Sequence, residues 1–127
     1  MPLFREHQVA LLFTGHEHIF EHWIERYLDG TRRWRRMDQI VTGGGGPPYQ
    51  YRGEPDLRPY LAGATADSVR VTHLVRPGPE RGDNPHHYLM VHVDGPDVWM
   101  EVVVDWGINF QPDRTPRASL SDTIGSN

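Results

Sequence analysis

The order of apolar and polar positions predicts a chain made mostly of β-strands. A continuous apolar run, VALLFT (9–14), is typical of a strand that is covered on both faces. Further strands are predicted at MDQIVT (37–42) and at the partly alternating SVRVTHLVR (68–76). Two runs rich in β-branched and aromatic residues, HYLMVHV (87–93) and VWMEVVV (98–104), flank the short sequence DGPD, which predicts an antiparallel hairpin.

The segments between these strands carry turn and loop residues, apart from a short helical piece at the start. The predicted connections are the end of an amphipathic helix at PLFREHQ (2–8), a stop at GGGGPP (43–48), irregular chain at 49–66, a loop at PGPERGDNP (77–85) and a polar, flexible tail at 107–127. Residues 1–106 are therefore expected to form the folded unit.

Residues 18–30 fit two secondary structures. The apolar residues recur at helical spacing, but Asp29-Gly30 is a strong signal for a two-residue hairpin turn. Tyr27, Trp23 and Ile24 are also good strand residues. We predict extended chain that turns at Asp29-Gly30 and returns along RRMDQIVT.

Composition limits the chemistry that 127 residues can carry. The 11 prolines, 13 glycines and 37% hydrophobic residues predict one domain with a modest, loop-rich core. A net charge of -4 argues against a general nucleic-acid binder, and all 13 basic residues are arginine. The absence of cysteine excludes disulfides and thiol catalysis. No apolar run approaches the roughly 20 residues of a membrane span, and residues 1–8 are too polar for a signal peptide, so the compartment stays open with a lean to the cytoplasm.

The histidine pair at the end of the first strand is the strongest candidate for chemistry. His16 and His18 follow Gly15, which ends the buried run and allows a sharp backbone turn, with positive φ if required. Both imidazoles are then expected at one edge of the sheet, where a neutral imidazole suits zinc, iron or manganese. By contrast, we predict that His7, His73, His92 and the pair at 86–87 are solvated surface residues.

Two other metal patterns compete for this segment. The cupin pattern requires a glutamate three or four residues after His-x-His, and Glu21 and Glu25 miss that spacing. The sequence HIFEH (18–22) fits H-x-x-E-H, the motif of a zinc peptidase of the inverted type, with Glu21 beside the two histidines. That motif requires a continuous helix, because only a helical turn brings residues four apart onto one face.

A third pattern accounts for more of the chain. Gly15-His16-Glu17-His18 is followed by DGTRRWRRMDQIVT, by Gly43, Gly44, Gly45 and Gly46, and by the final hairpin. This ordered set resembles the C-terminal half of the calcineurin-like metallophosphoesterases over residues 1–106. Glu21 matches the H-x-x-E-R continuation of the purple-acid-phosphatase-like branch, whereas His22 stands where that branch has arginine.

The resemblance implies a fold, a cofactor and a reaction. The fold would be α/β, with this chain as the mostly β C-terminal part of a four-layer sandwich. The reaction would be hydrolysis of a phosphate ester at two divalent metal ions of the iron, manganese or zinc class. His16 and His18 would each bind one ion, Glu17, Glu21 and His22 would support the site or face the substrate, and Gly43 to Gly46 would form a close-packed turn beside it.

The same resemblance implies that this chain is incomplete. The family's other ligands lie in upstream Asp-x-His, Gly-Asp-x-x-Asp and Gly-Asn-His-Asp/Glu blocks, which this sequence lacks. Even one catalytic zinc normally takes three protein ligands. We therefore expect an inactive or very weak fragment whose partner is the missing N-terminal half or a complementing chain, with no nucleic acid and no membrane. The alternative is a small, non-catalytic β-rich binding domain.

Two further clusters are expected to be structural. The glycine run lacks the Gly-Lys-Ser/Thr of a Walker loop and the GxGxxG spacing of a dinucleotide site. The arginines at 32, 33, 35 and 36 are predicted to be a solvated edge, with Trp34 packed inward.

Overall fold

The described part of the chain is mostly β, as the sequence predicts. A computed structural model describes residues 2–48, 50–105, 113–114 and 118–119. Its elements are α1 (Pro2–Glu6), β1 (Leu11–Thr14), β2 (Phe20–Leu28), β3 (Trp34–Thr42), α2 (Arg58–Leu61), β4 (Val69–Val75), a 3₁₀ turn (Arg81–Asp83), β5 (His86–Asp94), β6 (Asp97–Asp105), β7 (Asp113–Arg114) and β8 (Ala118–Ser119). Within these residues, no helix has the length and apolar character needed to cross a membrane.

The first sheet has the strand order β1-β3-β2-β4. β1 runs parallel to β3, with Leu11 opposite Asp38, and β2 runs antiparallel to both β3 and β4. The strand predicted at 9–14 is confirmed, but its expected coverage on both faces is wrong. β1 is a short edge strand, and Phe13 is 43% exposed because its side chain lies at the rim of an open pocket.

The contested segment is strand β2, which confirms the prediction of extended chain. β2 pairs with β3 from Phe20 opposite Thr42 to Leu28 opposite Trp34. The helix that the H-x-x-E-H peptidase motif requires is therefore not formed, and that alternative is wrong for this chain.

The turn between β2 and β3 differs from the predicted two-residue type. Residues 29–33 connect the strands, and Arg32 takes a positive φ of 60°. Asp29 Oδ1 accepts hydrogen bonds from the backbone N–H groups of Arg33 (3.0 Å) and Thr31 (2.8 Å). The bond from Arg33, followed by those from the Thr31 hydroxyl and the Arg35 side chain, holds the pKa of Asp29 below its ordinary value. The aspartate thus organises a longer loop than Asp-Gly alone specifies.

One face of the first sheet carries the hydrophobic core. Tyr27, Met37 and Val69 are buried at its centre. The residues packed against them are Phe4, Val9, Leu61, Ala64 and Val71, so α1 and the segment that contains α2 cover this face. Glu25 is buried beside the core, where it accepts hydrogen bonds from Arg5 (2.6 Å) and from the hydroxyl of Tyr60 (2.5 Å).

His73 on β4 is also buried on this face, so its predicted surface position is wrong. Its Nδ1 lies 2.9 Å from both carboxylate oxygens of Glu54. Its Nε2 lies 3.4 Å from Glu21 Oε2, which also accepts a hydrogen bond from Trp23 Nε1 (2.5 Å). The His73 ring therefore joins residues 50–57 to the first sheet.

The opposite face of the sheet holds a buried charged group. Asp38 is fully buried and accepts hydrogen bonds from Arg36 Nε (2.5 Å) and Arg36 NH2 (2.7 Å), and its Oδ2 lies 2.7 Å from His22 Nε2. The prediction of a solvated arginine edge therefore holds for Arg32 and Arg33, which are exposed, and is wrong for Arg36. Arg36 is buried because it neutralises a carboxylate two residues away on the same strand.

The predicted hairpin is confirmed and forms the second sheet. β5 and β6 pair in one unbroken register from His86 opposite Asp105 to Asp94 opposite Asp97. Gly95 takes a φ of 57° in the two-residue turn, a value that suits glycine. β7 and β8 pair with β6, and the rest of the tail predicted at 107–127 lies outside the described residues.

Candidate functional site

The candidate site begins where the chain crosses over the end of β3. β1 and β2 lie on opposite sides of β3, so residues 15–19 must pass across its carboxyl end. The backbone N–H of Gly43 donates to Ile19 O (3.2 Å) at this crossing. The positive φ in this segment is at His16 (76°), so the turn does not require one at Gly15. His16 therefore lies exposed on the crossing segment, with a strained backbone conformation.

His16 and His18 reach the sheet edge, as predicted. His16 is exposed, and His18 is half-buried with its Nδ1 3.0 Å from Pro47 O. A carbonyl oxygen can only accept, so Nδ1 of His18 carries a proton, and in the neutral ring the lone pair is on Nε2. A lone pair on Nε2, with Nδ1–H held by a carbonyl, is the usual state of a metal-binding histidine.

The glycine run is the close-packed turn that the sequence predicts. A Cβ atom on Gly43 would lie 2.0 Å from Glu17 O, and one on Gly46 would lie 2.4 Å from the His18 ring. A Cβ on Gly44 would lie 2.2 Å from His87 O, whereas one on Gly45 would meet nothing within 4 Å. Three of the four glycines are therefore in close contact with neighbouring residues, and Gly46 is the one that packs against the His18 ring.

His87, which we predicted to be a surface residue, is half-buried at the same edge. Its backbone N–H donates to Gly44 O (3.3 Å), and its ring meets Phe20 edge-on with centroids 5.6 Å apart. Burial lowers the pKa of His87, an effect that the neighbouring His86 adds to and the Pro85 carbonyl opposes. The sequence signal for this residue was a histidine pair directly after a proline-bounded loop.

The hydrogen bonds of His87 assign it a structural role. Nδ1 lies 3.2 Å from Pro85 O and Nε2 lies 3.0 Å from Thr42 Oγ1. Since Nδ1 donates to the carbonyl, Nε2 accepts from the threonine hydroxyl. Both ring nitrogens are therefore engaged, Nε2 in joining β5 to the end of β3 and Nδ1 in a local bond to the residue before β5.

These histidines surround one open pocket of about 580 Å³. Its wall consists of Phe13, His16, His18, Thr42, Gly43, Gly44, Gly45, Gly46, His87, Tyr88, Leu89 and Val91. The pocket thus lies at the carboxyl ends of two parallel strands and is closed on one side by the second sheet. Ligands bind preferentially at this end of parallel strands.

The other predicted site residues are not brought into this pocket. Glu17 is exposed on the crossing segment. Glu21 and His22 are adjacent on β2 and face opposite sides of the sheet, Glu21 toward Trp23 and His73, and His22 toward Asp38. Glu17, Glu21 and His22 therefore do not line the open pocket, and their supporting or substrate-side roles stay predictions.

A second cavity of about 460 Å³ lies between the two sheets. Its wall is mostly apolar, with Phe20, Val75, Met100, Val102 and Val104 among the lining residues, and the His22 and His87 rings also reach it. Asn84 at its edge is buried but satisfied, because its side chain bonds the backbone of Gly78 and Glu80.

The open pocket offers the imidazoles of His16 and His18, fewer than the three protein ligands that one catalytic zinc normally takes. Within the described ranges, no three or more histidine, aspartate or glutamate side chains converge on a point that could hold an ion. The bond from Nδ1 of His18 to Pro47 O and the packing of Gly46 against the ring nevertheless suit a nitrogen ligand.

Comparison of the chain with protein-family models, with curated proteins and with solved structures gave no match.

Proposed function

We propose that this chain is the C-terminal portion of a metal-dependent phosphoester hydrolase, to which it contributes His16 and His18. The observation that supports the proposal is the position of the two histidines. They follow β1 at the carboxyl end of a parallel strand pair, and the glycine turn follows β3 at the same end. Ligands of open sheets with parallel strands bind at that end.

The chain's own residues prepare two nitrogen ligands of different rigidity. His18 is positioned by Pro47 O on one side and by Gly46 on the other. His16 is exposed on a backbone with positive φ. His18 would therefore bind its ion with a ring whose orientation is already fixed. The side chain of His16 would become ordered only on binding.

Two divalent ions, when bound, would supply an activated water and a positive charge for the phosphate oxygens. Among the described residues, no carboxylate lines the pocket to bridge those ions. The remaining ligands would come from an N-terminal portion or from a complementing chain. Hydrolysis therefore belongs to the completed domain.

Zinc titration followed by NMR tests the ligand assignment directly. Zn²⁺ is diamagnetic, so the ring signals of the bound histidines should shift without being lost. We expect shifts at His16 and His18, and weaker binding in His16→Ala and His18→Ala. His7→Ala is the matched control, because His7 is exposed at the end of α1. Shifts confined to other histidines would overturn the assignment.

The DNA upstream of the Met1 codon tests the reaction class independently of binding. We expect an in-frame sequence, or a neighbouring gene, that encodes Asp-x-His, Gly-Asp-x-x-Asp and Gly-Asn-His blocks. Zinc binding without such a sequence would favour the small, non-catalytic binding domain.

A further inference from the structure

Strand β5 carries four of the eight large hydrophobic side chains that are exposed in the described part of the chain. Four of its side chains are exposed, namely Val93 (70%), Tyr88 (52%), Met90 (44%) and Val91 (40%). They lie on both faces of the strand, since successive side chains of a strand alternate. Among the described strands, β5 is paired on one side only, with β6.

This edge lacks the features that usually prevent strands of different chains from pairing. Such features are charged side chains, prolines, bulges and short length. β5 has nine residues in an unbroken register with β6, and its one formally charged residue is Asp94 at the end. The two edge strands of the first sheet differ: β1 has four residues, and β4 carries Arg70 and a register shift opposite β2.

One hydrogen bond shows which backbone groups of β5 point outward. The N–H of His87 donates to Gly44 O, so it points away from β6. Backbone direction alternates along an antiparallel strand. The N–H and C=O groups of Leu89, Val91 and Val93 therefore also point outward, along the edge that lies beyond the glycine turn.

We propose that β5 pairs with β5 of a second copy of this chain, antiparallel and centred on Val91. In this register Val91 lies opposite Val91 of the second copy, and Leu89 lies opposite its Val93. All three residues direct backbone groups toward the new partner, so the pairing forms closely spaced hydrogen-bonded pairs. Cross-strand pairs of β-branched and aliphatic side chains add stability.

In this register the side chains of β5 are compatible with those of β5 in the second copy. The same two-fold places Met90 opposite His92 and Tyr88 opposite Asp94, so no charged group of β5 meets a like charge. The interface is therefore self-complementary, as a two-fold dimer requires. Leu89 and Val91 also line the open pocket, so the strand of the second copy would border that pocket.

Light scattering after size exclusion tests the dimer. We expect twice the 14.6-kDa chain mass for the wild type, and the single-chain mass for Val91→Lys and for Val93→Lys. Leu74→Lys is the matched control, since Leu74 is 51% exposed on β4 and should leave the dimer intact. Circular dichroism of each variant shows that it has folded. A wild-type monomer would overturn self-pairing and assign the edge to a strand of another protein, and a dimer that survives Val91→Lys would place the interface elsewhere.

Cysteine cross-linking tests the register, because the chain contains no cysteine of its own. Opposite residues in a hydrogen-bonded pair have Cα atoms about 5.5 Å apart, within disulfide range. We expect Val91→Cys to cross-link to itself, and Leu89→Cys and Val93→Cys to cross-link only when mixed. Self-linking of Leu89→Cys would contradict the register. Since none of these measurements involves metal or turnover, the inference stands or falls apart from the proposed function.

Discussion

The ring of His73 lies flat on the indole of Trp23, with centroids 3.6 Å apart and 7° between the planes. The two residues are cross-strand neighbours on β4 and β2. Because His73 Nδ1 also bonds Glu54, this stack connects the irregular chain after the glycine turn to the middle of the first sheet. The contact is thus an anchor for a segment that has little regular structure of its own.

His73→Ala should lower the free energy of unfolding by about 2 kcal/mol. It removes one hydrogen bond to a carboxylate and one ring stack from a buried position. Urea denaturation followed by tryptophan fluorescence measures this difference. His7→Ala, at an exposed position, should leave the midpoint unchanged. Equal midpoints for His73→Ala and wild type would show that the anchor carries no stability.

Asp38→Asn should destabilise the fold by about 3 kcal/mol, because it leaves Arg36 as a buried cation without its counter-ion. Denaturation at pH 7 measures the loss. Asp67→Asn, at an exposed position, is the matched control and should have no effect. A loss below 1 kcal/mol for Asp38→Asn would mean that water reaches Arg36.

The pH dependence of the same variant has a defined sign. Burial alone would raise the pKa of Asp38, but hydrogen bonds from Arg36 and His22 lower it below the ordinary value of 3.8. The folded state therefore binds this proton less readily than the unfolded state, so the stability due to Asp38 is fully present above pH 3.8 and is lost as pH falls through the lower, folded-state pKa. We expect a constant difference between wild type and Asp38→Asn from neutral pH to above 3.8, and a shrinking one below it. A difference that grows in acid would contradict this assignment.

Substitutions in the glycine run should separate stability from ligand position. Gly44→Ala should cost about 1–3 kcal/mol, because the new methyl group meets the backbone of His87. Gly45→Ala is the control, since it meets nothing within 4 Å and should change stability by less than about 1 kcal/mol.

Gly46→Ala should displace the His18 ring and weaken its zinc-induced NMR shift. An unchanged zinc-induced NMR shift of His18 in Gly46→Ala would show that Gly46 does not position the ring.

The isolated chain should hydrolyse p-nitrophenyl phosphate no faster than a His16→Ala, His18→Ala double variant. The reason is the number of ligands, since the described residues offer two imidazoles where two ions need several carboxylates as well. Release of p-nitrophenol with added Mn²⁺ or Zn²⁺ measures the rate. Metal-dependent turnover that the double variant abolishes would show that the chain is catalytically complete.

The strands and the site edge were predictable because they depend on local sequence. Alternating β-branched residues specified β5 and β6, and a glycine before His-x-His specified a strand end. The close contacts of Gly43 and Gly46 with the crossing segment also followed from the run of glycines, since only glycine allows such approach.

The buried polar contacts were not predictable, because each joins residues that are distant in the chain or have common polar types. Asp38 meets His22 across two strands, and His73 meets Glu54 from an irregular segment. A histidine in a strand has the same local pattern whether it faces water or a buried carboxylate. The helical spacing within 18–28 was misleading for a similar reason, since both faces of β2 are covered and its apolar and polar residues do not alternate.

The path of the chain over β3 also bears on the order in which the molecule folds. Leu28 and Trp34 are close in sequence, so the β2–β3 hairpin can close early, whereas Leu11 and Asp38 are separated by the crossing segment and the whole of β2. We therefore expect β1 to dock after the hairpin exists, and residues 15–19 to become fixed across its end only then. His16 and His18 take their positions in this last step, so an ion that needs both of them can stabilise only a chain whose first sheet is already complete.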